Sequence, residues 1–248
     1  MLSTANVADI VGATPHMTLA QAERMSSFIT DNGIADILEL GFRHGVSTVY
    51  MAATLGRAGR GRIVTIDLES ARQNQPNVEE LLTRIGERNR VEVFYEPTSY
   101  TWRLMRLLQS DPTPRFDLCY IDGAHDWFVD GFAFFLVDRL LRPGGWIVFD
   151  DMNWTYAGSP ALRETERVQR MPADERTAQQ VRLVYDLLVK THTGYHNFRD
   201  EGDWAFAQKV RDGGSSQERV IVKEVVVVEK HLGLAGAAIE IARRIRNR

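Results

Sequence analysis

The sequence contains a single cysteine, Cys119, in 248 residues. No intrachain disulfide can form, and a reducing compartment is the natural expectation. Long apolar runs are missing too: nowhere do about 18 apolar residues follow one another, as a membrane helix requires. The N-terminal "MLSTANVADIVGATPH" has no basic start leading into a long apolar region, so it does not read as a secretory leader. A soluble, cytoplasmic protein with no membrane partner is expected. A net positive charge is also lacking. The formal net charge is -3, and no basic stripe with interleaved aromatics is present, which argues against a nucleic-acid partner. The basic C-terminal "ARRIRNR" reads as cations favouring the end of a helix.

What is present is a regular alternation. "MTLAQAERMSSFITDNG" carries Thr18 three residues before Gln21, the spacing of a capping box, with Leu19, Ala22, Met25, Phe28 and Ile29 on one helical face and Gly33 as a stop. The apolar runs "ADILELG", "GRIVTIDLE", "VEVFYE", "FDLCYIDG" and "GGWIVFDD" read as buried strands. Between them lie the helical patterns "VSTVYMAATLGRAG", "NVEELLTRIGERN", "SYTWRLMRLLQS" and "FVDGFAFFLVDRLL". This rhythm predicts an α/β fold: a doubly wound, mostly parallel Rossmann-like sheet with helices on both faces.

After Asp151 the pattern changes. "TYAGSPALRETERVQRMPADE" reads as a long surface segment, "RTAQQVRLVYDLLVKTH" as an amphipathic helix, and "GYHNFRDEGDWAFAQKV" as an antiparallel hairpin turning at "DEGD". "RDGGSSQER" reads as a loop, "ERVIVKEVVVVEK" as a further strand and "GLAGAAIEIARRIRNR" as a terminal helix. A single domain over 1–248 is expected, with a helical segment at 1–33, a cofactor-binding core at 34–152 and a C-terminal elaboration at 153–248. A homo-oligomer is left open, with the "VVVV" run and terminal helix as its interface.

In an open parallel sheet, ligand sits at the carboxyl ends of the strands. The stretch after the first strand is "ELGFRHGVS", with Glu39, Gly41, Gly45 and Ser47. Gly41 suits a tight turn out of the strand, and Gly45 suits close approach of backbone to a ligand at a helix N-terminus. No Gly-Lys-Ser/Thr follows, so this is not a phosphate loop. Arg43 stands where the dinucleotide fingerprint has its second glycine. Asp67 ends the second strand, where an acid commonly meets ribose hydroxyls. A nucleoside without a pyrophosphate fits better than NAD.

Three carboxylates, Asp122 after the fourth strand and Asp150 and Asp151 after the fifth, are expected at one rim. Close together they would repel unless a cation sits among them, and oxygen ligands suit Mg2+, with Mn2+ or calcium as stand-ins. Asp126 reads as a helix cap, and Trp127 and Trp154 flank this rim.

"ILELGFRHGVST", "IVTIDLE", "FDLCYIDGAHDW" and "LLRPGGWIVFDDM" together resemble the successive motifs of class I S-adenosylmethionine-dependent methyltransferases, from about Ile37 to Met152. The glycine stretch is similar to the catechol O-methyltransferase branch, and "IDGAH" with "DDM" resembles the macrocin and mycinamicin sugar O-methyltransferases. The resemblance implies that Glu39, Gly41, Gly45 and Ser47 surround the amino acid end of S-adenosylmethionine, with Asp67 at its ribose, Ser99 at its adenine and Asp122 nearby. It implies a metal at Asp122, Asp150 and Asp151 and a general base at His125. Two departures stand out: Met152 replaces the asparagine that follows the last acid in the catechol branch, and Arg43 replaces the middle glycine of the commonest motif. The expected function is metal-dependent methylation of a small hydroxylated acceptor, such as a natural-product sugar. A cofactor-binding partner subunit without turnover and a nicotinamide-dependent oxidoreductase are the competing readings.

Overall fold

Thr18 caps a helix as its spacing to Gln21 predicts: its hydroxyl accepts the Gln21 amide at 3.3 Å while the Gln21 side chain accepts the Thr18 amide at 2.9 Å. This is α2 (Leu19–Asp31). In the computed structural model, which describes residues 2–210, it is preceded by α1 (Thr4–Val11). The alternation then runs β1 (Asp36–Leu40), α3 (Val46–Arg57), β2 (Arg62–Leu68), α4 (Val78–Ile85), β3 (Val91–Glu96), α5 (Tyr100–Gln109), β4 (Phe116–Ile121), α6 (Trp127–Leu140) and β5 (Leu141–Phe149). Short helices α7 (Glu166–Gln169), α8 (Ala173–Thr177) and α9 (Gln180–Val184) cross to the hairpin β6 (Tyr195–Glu201) and β7 (Trp204–Lys209). The expected loop, strand and helix beyond Val210 lie outside the described residues.

Among the described residues the sheet order is β3-β2-β1-β4-β5-β7-β6. The first five strands pair in parallel, and β7 runs antiparallel to both β5 and β6. The β1/β4 boundary is the topological switch point, where an open α/β sheet forms its ligand crevice. Register brings the strand ends level: Leu40 lies opposite Ile66 and Ile121, and Ile121 opposite Phe149. Ladder bonds continue one residue further, from the Gly41 amide to Ile66, Asp122 to Leu40 and Asp150 to Ile121, at 2.8, 2.8 and 3.0 Å.

Both faces of the central parallel strands β1, β2, β4 and β5 are largely buried, which explains why these strands are predominantly apolar rather than alternating. On one face Met25, Val49 and Leu82 pack with Ile37 and Ile63. On the other, Leu104, Phe134 and Val184 pack with Leu38 and Ile147. Full burial of a side chain such as Phe134 contributes roughly 1.5–3 kcal/mol.

Candidate active site and metal-binding cluster

The glycine loop is held by side chains from neighbouring strands. Glu39, fully buried in β1, accepts hydroxyl hydrogens from Ser47 at 2.5 Å, Thr48 at 2.5 Å and Thr65 at 2.6 Å. Burial pushes its carboxyl up to about 7, with the three hydroxyls opposing the shift. Glu39 and Ser47, both expected at the cofactor, thus bond to one another and fasten the start of α3 to the sheet. Gly45 has φ 90° and begins α3 without any side-chain cap, leaving the helix amides free to meet an anion. The side chain that Gly45 lacks would strike Val78 of α4, so its smallness serves helix packing rather than the approach to a ligand expected from sequence.

Asp67 and Ser99 are more occupied than their expected ligand roles suggest. Asp67 Oδ2 accepts the amides of Phe42 at 2.9 Å and Arg43 at 2.6 Å, and Oδ1 accepts that of Leu68 at 2.6 Å. A carboxylate has about four acceptor positions, so one remains for a ribose hydroxyl. Arg43, at the missing-glycine position, takes the left-handed φ of 48° that such a loop needs. Ser99 is the N-cap of α5, accepting the Thr101 amide at 3.1 Å.

At the neighbouring rim, Asp122, His125 and Asp151 converge, with ligand atoms within 4.8 Å of one another. His125 Nε2 lies 3.4 Å from Asp122 Oδ1 and 3.1 Å from Asp151 Oδ2. The imidazole therefore takes the central place that the sequence reading gave to a third carboxylate. Burial alone would lower the His125 pKa, but the bond to Asp122 and the charges of Asp122 and Asp151 outweigh it and raise it. Asp122 is raised chiefly by burial, with further upward contributions from Asp150 and Asp151. The indole of Trp154 lies against the imidazole, ring centroids 5.0 Å apart, and Tyr156 meets that indole edge-on at 4.8 Å.

Asp150 does not belong to this trio. Its Oδ1 accepts the Asp151 amide at 2.6 Å and its Oδ2 accepts the buried hydroxyl of Tyr120. The buried indole N–H of Trp204 acts to lower the Asp150 pKa, yet makes no hydrogen bond of ordinary geometry. The Asp150 side chain thus turns inward onto Tyr120, while Asp151, with φ 56°, has left the extended conformation of the strand. Asp126 is the N-cap of α6, accepting the amides of Phe128 and Val129 at 2.8 and 3.1 Å. The Trp127 amide bonds Gln180, and Trp154 is the tryptophan against His125.

The donor set fits a cation. Two carboxylates suit Mg2+ or Mn2+, while the imidazole is a ligand that Mg2+ does not favour. The uncapped α3 N-terminus beside the switch point and the remaining acceptor position on Asp67 fit a small nucleoside bearing an amino acid group.

The sheet order and parallel pairing are those of a Rossmann-like fold, shared with solved methyltransferase structures. Residues 38–152 match the methyltransferase domain family. No curated protein matches the sequence. Among solved structures, the O-methyltransferase TomG of Streptomyces achromogenes, involved in tomaymycin synthesis and bound to S-adenosylmethionine, shares 19% identity at a TM-score of 0.58, covering 84% of this chain and 89% of that one. An O-methyltransferase from Bacillus cereus in complex with S-adenosylhomocysteine shares 22% at a TM-score of 0.56, with 84% and 87% covered. The S-adenosylhomocysteine-bound methyltransferase PaMTH1 of Podospora anserina shares 17% at 0.57, with 79% and 80% covered. Among the described residues no helix is long and apolar enough to cross a membrane.

Proposed function

We propose that the protein transfers the methyl group of S-adenosylmethionine to a hydroxyl oxygen of a small molecule, assisted by a divalent cation, Mg2+ or Mn2+, held by Asp122 and Asp151. The observation that carries this reading is the meeting of Asp122, His125 and Asp151 at the rim beside the glycine loop. The O-methyltransferases among the structural neighbours agree with oxygen as acceptor, and TomG's part in tomaymycin synthesis agrees with a natural-product substrate.

The sulfonium methyl is already electrophilic, so the protein's task is to align and deprotonate the acceptor. Asp122 and Asp151 would hold the cation, which would supply Lewis-acid activation of the acceptor hydroxyl and offset the carboxylate charge beside His125. Neutral His125 Nε2 then takes the hydroxyl proton as the oxygen attacks the methyl carbon in line with the sulfur–methyl bond. That bond breaks, leaving an ether and S-adenosylhomocysteine. Trp154 fixes the plane of His125 and offers a flat apolar surface to a ring-shaped acceptor, which favours a sugar or an aromatic diol. Transfer from radiolabelled S-adenosylmethionine to a panel of vicinal diols tests this. Turnover lost in chelator and restored by Mg2+ supports the reading; chelator-insensitive turnover contradicts the metal's part in it.

A further inference from the structure

Two of the three clustered residues hold left-handed backbones, uncommon outside glycine although Asp and His adopt them more readily than most: φ is 53° at His125 and 56° at Asp151. Such conformations cost about 1–3 kcal/mol each and persist where surrounding structure over-determines them. Beneath each lies a buried tyrosine hydroxyl donating to a buried carboxylate. Tyr100, from α5, donates to Asp130 Oδ1 of α6; Asp130 Oδ2 accepts the Asp126 amide at 3.0 Å, and the Tyr100 oxygen accepts the Ala124 amide at 3.3 Å. The amides on both sides of His125 are thereby tied down. Tyr120, from β4, donates to Asp150 Oδ2, and Asp150 Oδ1 accepts the Asp151 amide at 2.6 Å. The four side chains are 0–6% exposed.

This arrangement is costly. Burial raises both Asp130 and Asp150, and apolar residues of similar volume would fill the same space without desolvating a carboxylate. Apolar residues would not accept the amide hydrogens that the left-handed turns direct inward.

We infer that Tyr100–Asp130 and Tyr120–Asp150 are two positioning pairs, each fixing one member of the cluster, His125 and Asp151 respectively, through the backbone. Their service to catalysis rests on the proposed methyl transfer; the bracing itself does not. On this view Asp150 acts through Asp151 and is not a metal ligand.

Tyr100→Phe and Tyr120→Phe in the full chain test the pairs, because each keeps the ring's shape and leaves both carboxylates in place. Loss of a hydrogen bond of this kind accelerates local amide exchange about tenfold. We expect that acceleration at Asp126 in Tyr100→Phe and at Asp151 in Tyr120→Phe, with exchange at Cys119 in the central strand unchanged. Mn2+, added without donor or acceptor and followed by its paramagnetic resonance, should bind several-fold more weakly to Tyr120→Phe. In Tyr100→Phe, kcat should fall about tenfold while KM for S-adenosylmethionine stays within about twofold. Should Tyr100→Phe not accumulate as folded protein, Asp130→Asn carries the same expectation at Asp126. Wild-type exchange at both amides, or acceleration spread evenly through the chain, overturns the inference. If the wild-type protein takes up no Mn2+, the metal reading fails, and amide exchange alone decides for or against the braces.

Discussion

Gly41 lies directly against the backbone of Asp122: a Cβ at position 41 would overlap the Asp122 carbonyl oxygen, and φ there is 87°. The glycine loop and the start of the "DGAHDW" loop are therefore in contact, and the cofactor crevice and acidic rim share a wall. Gly41→Ala should cost at least about 1–2 kcal/mol for the left-handed backbone alone, and should weaken S-adenosylmethionine binding as the two loops part. Thermal denaturation and calorimetric titration check this; wild-type values in both would show that the two loops are not coupled.

His125→Ala should reduce turnover by about 10² or more while leaving S-adenosylmethionine affinity within a few-fold of wild type. Single-turnover rates alongside equilibrium binding separate the two. Unchanged turnover would remove His125 as the proton acceptor.

Glu39 makes stability fall as pH rises. Its carboxyl has an ordinary value of 4.5 and about 7 in the folded protein, so between those values the native state binds more protons than the unfolded state. Stability therefore declines from about pH 4.5 to about pH 7 and levels off above, a loss of at most about 3 kcal/mol. Glu39→Gln, which does not titrate, should lack this decline and gain on the wild type as pH increases. Urea denaturation at pH 5 and pH 8 measures it, and parallel profiles would contradict it.

Asp126→Ala removes the α6 cap together with acceptors for Tyr156 at 3.2 Å and Arg167 at 3.0 Å. A loss of about 1–2 kcal/mol is expected from the cap, with S-adenosylmethionine affinity retained because Asp126 faces α6 and the 156–167 segment. An unchanged melting temperature would mean that the cap contributes nothing.

The parallel strands and their helices were legible because each run is predominantly apolar and each helix keeps its 3.6-residue spacing. The hairpin was legible at "DEGD", where Gly202 supplies the left-handed turn with φ 69°. Helix α1 was not, since its eight residues bury only Val7 and Val11 and its cap pairs Ser3 with Asn6 instead of a glutamate or glutamine. The single helix expected around "VRLVYDLLVKTH" is instead α9 followed by a π-helical turn over Tyr185–Val189, with the Tyr185 hydroxyl anchored on the Phe206 carbonyl at 2.7 Å. A sequence window does not contain that cross-strand bond.

Within the site, motif spacing located the rim but not the direction of each side chain. Asp151 and not Asp150 meets Asp122 and His125 within the cluster, a difference that motif spacing does not encode. Tyr120 and Asp130 were missed because each sits in an apolar run that reads as core, Tyr100 because it reads as one more residue of a helix start, and the bonds that give them a role join elements about thirty residues apart. A tyrosine in the apolar strand run just before Asp122 and an aspartate in the apolar helix after His125 were the available signal.

The most direct test is Mn2+ uptake by the S-adenosylmethionine-saturated protein, followed by paramagnetic resonance in wild type and in the Asp122→Asn, Asp151→Asn double variant. A single Mn2+ per wild-type chain, displaced by Mg2+ and lost in the double variant while S-adenosylmethionine still binds, is the expected result. No uptake by the wild type, or equal uptake by both proteins, would contradict a cation held between these two carboxylates.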